Sequence, residues 1–64
     1  MMWITHHEAI EMYARFCRAH YGVAATETVR ATAKQLERKG DGEGHRVWNE
    51  VAAEIERQER SGLH

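Results

Sequence analysis

The scarcity of large aliphatic side chains is the tightest constraint on this chain: only ten of its 64 residues are Leu, Ile, Val or Phe, against nine alanines. A core built from these is thin. A domain of about 60 residues buries only about 60% of the surface its unfolded chain exposes, so such a core calls for closely packed helices, a second copy or a metal. Low aliphatic content signals disorder only when it comes with a large net charge. Here nine basic and ten acidic residues leave a formal net charge of −1. The expectation is a single folded domain over residues 1–64, with 1–4 and 61–64 loosely ordered at its ends.

Glycine sets the organisation, because the chain has no proline. Thr5 and Glu8 have the spacing of a capping box, in which the hydroxyl accepts an amide of the first turn and the carboxylate accepts the Thr5 amide. A helix over 5–21 should stop at Gly22. A second, over 24–39, should stop at Gly40 after Arg38 and Lys39, whose charges suit the negative end of the helix dipole. Asp41 is a good N-cap for a third helix over 42–60. The predicted fold is all-α, with three short helices in a small bundle completed by dimerisation.

Helical periodicity sorts the faces. On the first helix an arc of about 140° runs from His6 through Ala9, Ile10, Tyr13, Phe16, Cys17 and His20 to Tyr21, wider than the ~100° stripe that covers one core. The second helix turns inward a small-residue stripe of Ala25, Val29, Thr32, Ala33 and Leu36. The third offers Gly44, Val47, Trp48, Val51, Ala52 and Ile55, with Glu50, Glu54 and Arg57 on its wet side. Gly44 inside that stripe is expected to mark the close approach of another backbone, since glycine otherwise weakens a helix. So few helices can hardly conceal both tryptophans, Phe16 and both tyrosines. Trp3, Ile10, Tyr13, Phe16, Cys17 and Trp48 are therefore the expected core or interface residues. Aromatic residues and Met are enriched at protein interfaces. The partner expected is a second copy docked through the first helix, with room for a further protein partner.

Taken together, His20-Tyr21-Gly22, Gly40-Asp41, Gly44, Trp48 and Val51-Ala52 resemble the pattern of a group of short uncharacterised helical proteins of proteobacterial genomes. The likeness runs over most of residues 9–55. It implies two or three short helices in a bacterial cytoplasmic protein, with no activity attached.

Other function classes are weighed by their chemistry. Cys17 and His20, at i and i+3, can reach one zinc or other transition metal, and either His45 or the same pair from a second copy would complete four ligands. The bland alternative is a buried thiol beside a histidine near a helix end. A helix-turn-helix-like nucleic-acid binder would use Arg30, Lys34 and Arg38 on the second helix. Residues 41–60, however, carry six acidic residues and three arginines, the wrong balance for a DNA-reading helix. No nucleophilic serine or phosphate-cradling loop suggests an enzyme, and Cys17 on an apolar helix face should be unreactive. The N-terminal residues show no basic segment followed by a long apolar run, no stretch approaches the ~20 residues of a membrane span, and the lone cysteine has no disulfide partner. The expected location is the cytoplasm, and the expected role is non-catalytic interaction or regulation.

Overall fold

The computed structural model describes residues 4–61, which form helices and turns with no strand among them. Trp3, one of the expected core or interface residues, lies outside the described residues. Helix α1 covers His6–Tyr21, α2 covers Ala25–Arg38 and α3 covers Gly42–Arg60. The capping box starts α1: the Thr5 hydroxyl accepts the Glu8 amide at 3.0 Å, and the Thr5 amide donates to the Glu8 carboxylate at 2.9 Å.

The expectation of three separate helices with two breaks is corrected. Gly22 does adopt a positive φ of 62°, with ψ at −134°. The helical turns nevertheless continue through it. Its amide donates to the Arg18 carbonyl, its own carbonyl accepts the Ala25 amide, and one tight 3-10 turn, Gly22–Ala24, hands α1 directly to α2. Helical structure is therefore unbroken over 6–38, and the described residues form two helical runs, 6–38 and 42–60. The physical reason is that glycine without a Cβ can redirect the chain within one residue, leaving no loop to interrupt the hydrogen bonding.

The one real break is at Gly40. With φ at 87°, this glycine lets the Asp41 amide reach the Leu36 carbonyl at 2.9 Å and its own amide reach the Glu37 carbonyl at 3.0 Å. These two bonds close α2 as a Schellman motif. Asp41 then serves the next helix as well, its carboxylate accepting the Gly44 amide at 2.9 Å. One residue thus ends α2 and starts α3, which holds the two close to antiparallel contact.

The core lies between α3 and the two limbs of the first run. It is made of Ile10, Ala14 and Cys17 from α1, Ala25 and Val29 from α2, and Val51, Ala52 and Ile55 from α3, with Val47 and Trp48 packed against its edge. Four of the nine buried apolar residues described are alanines. The helices approach closely because so little side chain stands between them. The molecule measures 34 × 33 × 18 Å.

Gly44 is close to something, but not to a backbone as expected. A Cβ there would stand 2.6 Å from Asp41 Oδ2 and 3.1 Å from Leu36 Cδ1. The space is taken by its own helix's cap and by a side chain of α2. Gly44→Ala should therefore leave stability in urea denaturation within about 0.5 kcal/mol of the parent, because the methyl displaces a cap worth about 1 kcal/mol and so cancels alanine's helical advantage of similar size. Gly42→Ala is the control, since nothing lies within 4 Å of its Cβ position. Stabilisation by Gly44→Ala equal to that of the control would refute the cap-crowding account.

Candidate functional site

Helix α1 buries Ile10, Ala14 and Cys17, at spacings of four and three, against the rest of the chain. That stripe divides the remaining surface of α1 into two flanks of opposite chemistry. Centred about 100° away on one side are Ala9, Met12, Tyr13, Phe16 and His20. On the other side lie His7, Glu11 and Arg18.

The first flank carries a continuous ladder of rings. Trp48 of α3 meets Tyr13 edge-on with centroids 5.3 Å apart, Tyr13 stacks on Phe16 at 5.7 Å, Phe16 lies parallel to His20 at 5.6 Å, and His20 meets Tyr21 edge-on at 4.7 Å. Such pairs prefer the offset and edge-to-face geometries seen here. Most of this surface is open: Phe16 is 55% exposed, Met12 53% and Tyr13 41%, and Ile4 extends the apolar patch beyond the start of the helix. Burial pushes the Tyr13 phenol above its ordinary value of 10.0, with smaller contributions from Cys17 and Tyr21. The flank contains no carboxylate, ammonium or guanidinium.

The second flank is a polar seam with α3. Glu54, 6% exposed, accepts two hydrogen bonds from the Arg57 guanidinium, at 2.9 and 2.6 Å, and one from the Gln58 amide at 3.0 Å. Gln58 in turn donates to the Glu11 carbonyl at 3.3 Å and accepts from Arg18 at 2.8 Å. Arg57 also approaches the Glu11 carboxylate at 3.5 Å, and His7 lies 3.2 Å from the same group. Near the start of α1 His6 contacts Glu50 of α3 at 2.8 Å. The hydrogen bond from Arg57 holds the Glu54 carboxyl below its ordinary value of 4.5 despite its burial, with Gln58 adding to the effect.

Of the expected core or interface residues, Ile10 and Cys17 are in the core, Trp48 is half-buried at its edge, and Tyr13 and Phe16 stand on the exposed ladder. The proposed metal ligands are not brought together. Cys17 is sealed among core residues, 1% exposed, and burial pushes its thiol up. A second copy has no path to its sulfur. The His20 ring is instead stacked on Phe16. His45 binds α2: its Nδ1 donates to the Ala33 carbonyl at 2.9 Å, which leaves Nε2 to accept from Asn49 at 3.1 Å. No cluster of three or more metal-ligating side chains occurs among the described residues. On the basic stripe of α2, Arg30 is paired with Glu56 at 3.1 Å, which weakens its use toward phosphate. No helix among the described residues is long and apolar enough to cross a membrane.

Sequence reasoning passed over Ala14 and assigned Glu54 to solvent. The missed signal is spacing. Ala14 falls between Ile10 and Cys17 on one stripe, and Glu54 precedes Arg57 and Gln58 by three and four residues, the offsets at which helical side chains meet.

Because the Glu54 carboxyl is held below its unfolded value, it stabilises the fold fully above about pH 4.5, and that stabilisation is lost as the pH falls through the lowered folded value. Glu54→Gln should cost about 1–3 kcal/mol at pH 7, the price of leaving buried donors poorly matched. The gap from the parent protein should close on acidification. Thermal melts of both proteins from pH 7 to pH 3 check this, and melting curves that stay parallel throughout would contradict it.

Comparison with protein-family models, with curated proteins and with solved structures finds no match to the chain, so the function of this surface is argued from its own chemistry.

Proposed function

We propose that this chain is a non-catalytic protein–protein interaction or regulatory module that acts as a homodimer through the aromatic flank of α1. The observation that carries this reading is the half-exposed ladder from Trp48 through Tyr13, Phe16 and His20 to Tyr21, flanked by Met12 and Ile4. A helix with a wide apolar surface gains by burying it against another element, and among the described residues this flank meets α3 at Trp48 while Met12 and Phe16 stay more than half exposed. A second copy supplies the missing cover.

The chemistry of the flank suits a partner like itself. It carries no carboxylate, ammonium or guanidinium, so two such surfaces meet without burying like charges. Tyr and Trp add large, rigid contact area at low entropic cost. An interface built on one helix of 16 residues is at or below the lower end of the ~1,200–2,000 Å² class, which is the size of a transient contact. The non-catalytic reading is supported by the state of Cys17, whose thiol is buried and favours its protonated form. Its place is the cytoplasm, in keeping with a lone cysteine and with the proteobacterial helical proteins its motifs resemble.

Sedimentation equilibrium at tens of micromolar should return twice the chain mass. Phe16→Asp should return the single-chain mass with unchanged helical circular dichroism, because that ring is exposed within one chain. A parent protein that stays at one chain mass throughout overturns the proposal.

A further inference from the structure

Two copies meeting through the aromatic flank of α1 can run parallel or antiparallel. Ala9, Met12, Phe16 and His20 follow one another at the three- and four-residue spacings of a helix–helix seam, with Tyr13 beside Met12. Glu8 and Arg15, seven residues apart, share the rim just beyond Met12. The Glu8 carboxylate is positioned by its bond from the Thr5 amide, and Arg15 has no acidic partner among the described residues.

In a parallel pair each residue on the midline of the seam meets its like. Phe16 would crowd Phe16, the two α1 dipoles would point the same way, and Glu8 and Arg15, which share one rim, would fall on opposite edges of the seam without meeting across it. In an antiparallel pair centred beside Met12, Ala9 of one copy faces Phe16 of the other, so small meets large. Glu8 of each copy then lies by Arg15 of the other, twice by symmetry. Size and charge both select the second arrangement. We infer that two copies of this chain join antiparallel through α1, with the two-fold axis beside Met12 and a Glu8–Arg15 ion pair at each end of the seam. This inference rests on the homodimer proposed above and adds its direction and register.

Complementary charge reversals test it. Arg15→Glu and Glu8→Arg each set like charges across the seam and should weaken self-association about tenfold. An equimolar mixture of the two should regain the parent affinity as a heterodimer, read by sedimentation with one variant fluorescently labelled. Glu8→Arg also removes part of the α1 cap, so a cross-linking measurement stands beside it. Met12→Cys should form a disulfide between copies under mild oxidation. His20→Cys, about 12 Å further along α1 and so about 24 Å from its counterpart, should not. Efficient cross-linking of both variants indicates a parallel pair and overturns the inference while leaving the homodimer intact. A doubled mass that Arg15→Glu leaves unchanged, with no Met12→Cys cross-link, overturns it likewise. A parent protein at single-chain mass overturns both proposals together.

Discussion

Close contact between small residues is the constraint on which the rest of this structure depends. Ala14 on α1, Ala25 and Ala33 on α2 and Ala52 on α3 are almost without exposure. With methyl groups at these positions the helices come together, and Val29, Cys17 and Ile55 fill what space remains. Rings cannot enter such a narrow seam. Tyr13 and Phe16 are therefore displaced to one side of α1, and the polar side chains of Glu11 and Arg18 to the other. The two-sided character of α1 is a consequence of a core too small to accept its largest residues.

The two flanks do different work. On the polar side, Glu54 and Gln58 are drawn into a buried network in which each acceptor has a donor, and no buried side-chain nitrogen or oxygen among the described residues lacks a partner. That network ties α1 to α3 where apolar contact is sparse, and directional bonds of this kind resist sliding of one helix along the other. On the aromatic side the contacts are among rings of one surface, largely from a single helix. Stacking organises the surface without covering it. What results is an apolar patch whose rings are ordered by contacts within one chain.

The junctions explain how so short a chain holds this arrangement. Gly22 turns the first helical run within a residue, and Gly40 with Asp41 closes α2 and opens α3 through backbone and side-chain bonds that share one residue. Neither turn spends chain on a loop. His45 adds a cross-link from α3 to the Ala33 carbonyl just beyond the second junction, and Arg30 with Glu56 makes another further along the same pair of helices.

Local signals determined a good deal by themselves. The capping box at Thr5 and Glu8, the cap at Asp41, the positive φ at Gly22 and Gly40, and the inward stripe of Ala25, Val29 and Ala33 all follow from interactions within a few residues, and all were legible in the sequence. The breadth of apolar surface on α1 was legible too. What the sequence did not disclose was how the pieces meet. Periodicity ranks residues by hydrophobicity, so it grouped Tyr13 and Phe16 with Ile10 and Cys17 as core or interface and overlooked Ala14, whereas packing selects the residues that let helices approach. It assigned Glu54 to water because a lone carboxylate belongs there, and only the arrival of α1 beside Arg57 and Gln58 made burial affordable. It read Gly22 as a break, although the helical bonds on either side join through it. Which flank of α1 is covered and which is left open was decided by the tertiary structure alone, because that depends on where α3 lies, and no local interaction specifies it.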